Sequence, residues 1–342
     1  MNLTEFKARL KSDKRGGFYI FGGEEDYLKT FWRGELLKAT RQDDAFDMFN
    51  YVPVDGDEFS VAALEELVAT PPMMADYKVI EWRHANLDKL PKDTLERLCT
   101  LAEEREEHPE CAVIITALEG GFETTEKRPS KLHTTLEKSG FSVLVFDRST
   151  DVQLLSWLKK HFDTEGIATD PETLSAMLFR VGHSMAQLNE EVTKLSAYAK
   201  ANGMTRVGIR EVEQVCSATV ECEAFALSNA IIEKNTEKAF LALSDMKQQR
   251  IEPYIVLAQL SRTYSELLSI SLLIDEGRDA DAIASLMKFH PYRLSLYMRA
   301  AKKLGTRRLS DTLSHLIRVD TASKMGGIGG FGAIEMFITQ NI

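Results

Sequence analysis

Over the first 146 residues, short apolar runs alternate with longer amphipathic stretches. The runs Gly17–Phe21, Phe49–Val54, Lys78–Trp82, Cys111–Leu118 and Phe141–Phe146 are rich in Val, Ile, Phe and Tyr. Each is bounded by Gly, Asp or Pro, which predicts strands. Between them Asp26–Ala39, Ser60–Ala69 and Asp93–Arg105 carry helical spacing, with Ser60 and Asp93 placed as N-caps. Strand–helix alternation of this kind predicts a parallel sheet covered by helices on both faces.

After Asp147 the strand pattern stops. Asp151–Phe162, Pro171–Val181, Met185–Ala201 and Ile209–Val215 are spaced as helices, with Pro171 suited to a first turn after Asp170. From Val220 the helices lengthen. Leu257, Leu260, Tyr264, Leu267 and Leu268 fall at i, i+3, i+7, i+10 and i+11, one face of a helix. Ile283–Met287, Pro291–Lys303, Ser310–Lys324 and Ala333–Thr339 continue the series, with Gly277 and Gly305 as breaks. The pattern divides the chain into an α/β domain (1–147), a small helical domain (148–215) and a second all-helical domain (216–342).

Composition narrows the functional classes. The chain has 342 residues, 44% of them hydrophobic and 27% charged, as in a water-soluble globular protein. No run of about 18 apolar residues predicts a membrane span. The start, MNLTEFKARLKSDKR, has no apolar stretch of signal-peptide length, so a cytoplasmic location is expected. The formal net charge of −10 argues against a surface built wholly to coat nucleic acid. Two local basic clusters remain: Lys127, Arg128 and Lys131, and Arg299, Lys302, Lys303, Arg307 and Arg308 near Gly305. The four cysteines are scattered without a C-x-x-C, and no histidine pair has metal-ligand spacing, so neither zinc nor disulfides are expected.

One stretch invites a nucleotide. From Gly23, GEEDYLKT matches the phosphate loop G-x-x-x-x-G-K-[ST] except at Leu28. A working loop curls its amide N–H groups around phosphate and needs glycine where Leu28 stands. Glu24, Glu25 and Asp26 add negative charge where a polyphosphate would lie. Such enzymes also hold magnesium with an Asp-Glu at the end of an apolar strand, and KVIEW, AVIITALEG and SVLVFDR end without one. The glycines Gly327, Gly329 and Gly332 form a G-x-G-x-x-G with too little chain after it for a strand–helix–strand unit, and are expected in a loop. No serine, cysteine or paired-carboxylate constellation stands out. The chain reads as catalytically empty, without cofactor or metal, its function residing in its surfaces.

Several segments together resemble the delta subunit of the bacterial replicative clamp loader (DNA polymerase III). FYIFGGEEDYL is similar to that family's first strand and nucleotide-free loop. FNYVPVDGDE followed by ATPPMMADYKVIEW resembles its second strand, clamp-facing segment and third strand. NEEVTKLSAYA resembles a helix ending in Lys-Leu-x-x-Tyr, FHPYRLSLYMRAAKKL its His-Pro-Tyr helix, and the Asp320-x-x-x-Lys324 region its closing element. The likeness runs over nearly the whole chain in the right order.

The resemblance implies an AAA+-like α/β domain of the P-loop NTPase class with a degenerate nucleotide site, then a helical lid and an all-α collar. It implies a subunit without ATPase activity of its own, formally part of a nucleotidyltransferase holoenzyme. Its partners would be ATP-hydrolysing subunits and delta-prime in a five-membered ring, the ring-shaped sliding clamp (beta), and primed DNA through the complex. Met73 and Met74 align with the family's hydrophobic pair inserted into the clamp, with Pro72 stiffening their approach. Pro71 and Pro72 forbid a preceding helix from continuing, independently of any resemblance. Without the resemblance, the Met pair reads first as a plug for the domain's own core. Two competing readings are a P-loop ATPase or kinase with an aberrant loop, and the delta-prime subunit. The latter is disfavoured by the lack of a cysteine cluster and a Ser-Arg-Cys triplet.

Overall fold

The structure is a computed structural model and describes residues 1–41, 46–56, 60–326 and 329–342. It divides into two units, Met1–Ser149 and Thr150–Ile342.

In the first unit β1 (Gly17–Gly22), β2 (Tyr51–Asp55), β3 (Lys78–Ala85), β4 (Cys111–Ala117) and β5 (Ser142–Val145) form one sheet. Their order is β2-β3-β4-β1-β5 and every neighbouring pair is parallel. The connecting helices are α1 (Leu3–Leu10), α2 (Asp26–Thr40), α3 (Asp47–Asn50), α4 (Val61–Ala69), α5 (Lys92–Glu103) and α6 (Lys131–Lys138). Alternate residues of β1 feed opposite cores. Phe18 and Ile20 join Ile80, Val113 and Ile115 beneath Leu64 of α4, Leu98 of α5 and Leu136 of α6. Tyr19 and Phe21 join Val79, Ile114 and Leu144 beneath Phe6 of α1 and Leu36 of α2. A strand buried on both faces must be apolar throughout, which is why β1 reads as a continuous run.

Three local expectations are corrected. Phe49 and Asn50 belong to α3, so the second strand begins at Tyr51. Asp93 is not a cap: Pro91 holds the N-cap position and Asp93 sits in the first turn of α5, where its charge favours the positive end of the helix dipole. The third strand runs past Trp82 to Ala85, with a register shift between those residues. Ser60 does cap α4, accepting the Ala63 N–H at 3.1 Å.

The second unit is helical: α7 (Asp151–Thr164), α8 (Pro171–Val181), α9 (Met185–Ala201), α10 (Ile209–Val215), α11 (Val220–Ile232), α12 (Thr236–Gln248), α13 (Pro253–Asp275), α14 (Ala280–Met287), α15 (Pro291–Lys324) and α16 (Phe331–Asn341). The predicted apolar face of α13 is real: Leu257, Leu260, Tyr264 and Leu267 are buried with Tyr297 and Phe337. Phe179 of α8 meets Phe225 of α11 edge-on at 5.8 Å, joining the shorter helices to the longer ones. The break foreseen at Gly305 is a kink inside α15, where φ 74° and ψ 160° are open to glycine and strained for other residues. Of the three C-terminal motif glycines, Gly327 lies outside the described residues. Gly332 lies within α16 and not in a loop.

Candidate functional site

The turn after β1 has the place of a phosphate loop and different bonding. Gly23 has φ +95°, and a Cβ there would stand 2.3 Å from the carbonyl oxygen of Phe146. The Phe146 N–H donates to Gly22 O at 2.9 Å, and the Glu25 N–H donates to Phe146 O at 3.0 Å. An amide that a phosphate would need is thus bonded to the end of β5. Lys29 is buried, its Nζ 2.6 Å from Asp26 Oδ1. Arg148 pairs with Glu24 at 2.9 Å, while partial burial pushes the Glu25 carboxyl above its ordinary range. Leu28 packs against the core. The loop is closed by internal partners.

The segment between α4 and β3 is built differently. Thr70, preceding Pro71, is extended at φ −91° and ψ 119°, as the proline ring demands, and ends α4. The base of the segment is then pinned. Lys78, buried at the start of β3, donates its Nζ to Thr70 O at 3.2 Å, and its burial lowers the ammonium pKa. Asn50, 5% exposed, uses its amide as a surrogate peptide unit. The Met73 N–H donates to Asn50 Oδ1 at 2.7 Å, and Asn50 Nδ2 donates back to Met73 O at 2.8 Å. The same Nδ2 donates to Phe46 O at 3.1 Å, tying the clamp to α3. Farther on, the Tyr77 hydroxyl donates to Asp13 O and accepts from the Arg15 N–H.

On this base the side chains of Met73 and Met74 stand 52% and 78% exposed, and neither plugs the core. Pro72 is half-buried beside them. Met74 adopts φ +54°, a left-handed conformation costing a non-glycine residue about 1–2 kcal/mol. Met48 and Phe49, just ahead of Asn50 in the chain, add further exposed apolar surface. The backbone is fixed and the methionine tips are free, an arrangement suited to entering an apolar pocket on another molecule.

The sequence singles out the methionines and does not single out Asn50 and Lys78. Both act on backbone atoms brought near by the fold, and neither stands in a recognisable motif. Elsewhere, chemistry is sparse. Burial pushes the thiols of Cys111 and Cys222 up to about 11 and that of Cys216 to about 12, so they are protonated at neutral pH. Among the described residues, no group of three His, Cys, Asp or Glu side chains is disposed to hold a metal. Among them, too, no single helix is long and apolar enough to cross a membrane.

A parallel α/β unit whose turn after β1 is internally closed, followed by a helical unit, defines the class of fold. Residues 19–145 match the sequence model of "DNA polymerase III, delta subunit", and residues 221–341 that of "DNA polymerase III delta subunit, C-terminal domain". The chain belongs to the family of the DNA polymerase III delta subunit.

Among curated relatives, it is 22% identical over 177 residues to DNA polymerase III subunit delta of Bacillus subtilis (strain 168), covering 52% of this chain and 50% of that protein. It is 23% identical over 188 residues to the probable DNA polymerase III subunit delta of Aquifex aeolicus (strain VF5), covering 54% and 52%. The aligned stretch therefore spans about half the length of each curated relative. Among solved structures, the Bacillus subtilis DNA clamp loader delta protein superposes with a TM-score of 0.58 at 19% identity, over 98% of both chains. At that identity the likeness concerns the fold.

Proposed function

We infer that this chain is the non-catalytic delta subunit of a replicative clamp loader, acting in the bacterial cytoplasm. In this reading it binds the ring-shaped sliding clamp through Met73 and Met74, with Pro72 directing their approach, and opens it for loading onto primed DNA. The observation that carries the reading is the exposed methionine pair on a segment pinned by Asn50 and Lys78. Burying both side chains in a partner pocket contributes roughly 3–5 kcal/mol before ordering costs. The pinned backbone keeps those costs low.

Clamp opening then follows from linkage. A subunit that binds a strained or open clamp interface more tightly than a closed one shifts the ring toward opening without hydrolysing anything. Equal affinity for both forms would shift nothing. ATP binding by partner subunits in a five-membered ring with delta-prime would govern when the methionines are presented. In this assembly α7–α10 serve as the lid and α11–α16 as the collar.

The closed turn at Gly23 and the Lys29–Asp26 pair support a subunit with no ATPase activity of its own. The purified chain, mixed with a bacterial sliding clamp without nucleotide, is expected to co-elute with it in size-exclusion chromatography. Separate elution of a folded chain would contradict the reading. So would ATP hydrolysis by the chain alone that Lys29→Ala abolishes.

A further inference from the structure

The second unit holds a solvent-open cavity of about 450 Å³ whose wall is basic. Arg308, Asp311, His315 and Arg318 of α15 line it at i, i+3, i+7 and i+10, one face of the helix beyond the Gly305 kink. Lys234 enters from the turn after α11, held left-handed at φ 58° with its N–H donating to Ile231 O at 3.0 Å. Asn341 of α16 closes the ring, donating through Nδ2 to Phe337 O at 2.7 Å and to His315 Nδ1 at 3.0 Å.

What sets the cavity apart is convergence: Lys234, Arg308 and Arg318 line one wall, although most basic side chains of α15 likewise lack an ion-pair partner among the described residues. On the same helix, Arg293 pairs with Glu221 at 2.6 Å and Glu266 at 2.8 Å, and Lys324 pairs with Asp320 at 2.6 Å. Among the described residues, Lys234, Arg308 and Arg318 have no carboxylate within ion-pairing distance. Asp311 and the terminal carboxylate of Ile342 are the acids among the lining residues. Three cations against two carboxylates leave the lining with a net positive charge on a chain of net charge −10. Two guanidinium groups and an ammonium form the donor set that phosphate oxygens take up.

We propose that this cavity binds a phosphate group, supplied by the backbone of a nucleic acid or by a free polyphosphate. The site stands apart from the clamp contact and is untouched by changes at Met73 and Met74. It draws into one place residues from α15, α16 and the turn after α11.

The test uses the full chain at low ionic strength, with pyrophosphate titrated by calorimetry and a fluorescein-labelled oligothymidylate followed by anisotropy. Arg308→Gln/Arg318→Gln is expected to weaken pyrophosphate binding about tenfold or more. Arg299→Gln/Lys302→Gln makes the same charge change on α15 outside the cavity and should alter it less than about twofold. If the oligonucleotide competes with pyrophosphate, the phosphate comes from nucleic acid; if pyrophosphate binds without such competition, it comes from a free polyphosphate. Absence of pyrophosphate binding by the unaltered chain overturns the proposal whatever the variants do. Equal weakening by the two double variants overturns it as well, since binding would then report bulk charge.

Discussion

Asn50 shows how one side chain prepares a surface it does not itself form. Its amide satisfies both polar groups of the Met73 peptide unit, so the following residues leave the domain in a set direction. Removing it strands a donor and an acceptor that are partly shielded from water. Asn50→Ala is therefore expected to destabilise the first unit by about 1–3 kcal/mol, read as a lower midpoint in urea unfolding. The same variant should bind the clamp more weakly with both methionines present. The helix break is legible in the sequence because Pro71 and Pro72 forbid α4 from continuing, whereas the exposure of the methionines is not, since the residues alone read as a plug for the core. Asn50 is not legible either, since it lies more than twenty residues upstream, in the segment FNYVPVD, and reads as part of a strand. A residue whose work is a tertiary bond to backbone leaves no periodicity behind.

At the scale of elements, strands and long helices were legible and their exact ends were not. β1 and β4 are buried on both faces, so burial itself wrote the apolar runs. The start of α5 was misplaced because an aspartate near a helix start serves equally in the cap or the first turn, and Pro91 decided between them. Asp170 is the counter-example: the sequence places Pro171 in the first turn after it, and Asp170 is the N-cap of α8. It accepts the Thr173 N–H at 2.8 Å and pairs with Arg206 at 2.8 Å. These partners, the backbone bond first, hold its carboxyl down from 3.8 to about 2. Because the folded pKa lies below the unfolded one, acidification protonates the unfolded chain first. The contribution to stability is thus full above about pH 4 and is lost as pH falls toward 2. At pH 7 Asp170→Ala should cost about 1 kcal/mol, the ordinary worth of a cap. Asp170→Asn keeps a capping oxygen, and its difference from the unaltered chain in urea unfolding should shrink as pH is lowered from 4 toward 2.

At the scale of the whole molecule, the first unit has the strand–turn–helix frame in which a phosphate loop would lie and uses that turn for internal bonds. The turn after β1 has become a structural joint: Gly23 lies against the Phe146 carbonyl, and Lys29 spends its charge on Asp26. Apolar exposure lies instead between α4 and β3, where Met73 and Met74 stand on a pinned backbone. An overall charge of −10 conceals a basic cavity in the helical unit. Its members lie far apart in sequence, Lys234 against Arg308 and Arg318, so the chain shows a run of basic residues and no site. Composition reports the sum, and the fold decides where charge is left uncompensated.

The central claim is that Met73 and Met74 carry the contact with the sliding clamp. Its most direct test is the dissociation constant of the clamp complex for the unaltered chain and for Met73→Ala/Met74→Ala, measured by surface plasmon resonance. Both side chains are exposed, so the double variant should unfold at the same urea concentration as the unaltered chain. Its clamp affinity should fall roughly 100-fold or more, as expected when about 3 kcal/mol or more of buried apolar contact is removed. Unchanged affinity in a double variant of unchanged stability would contradict the account.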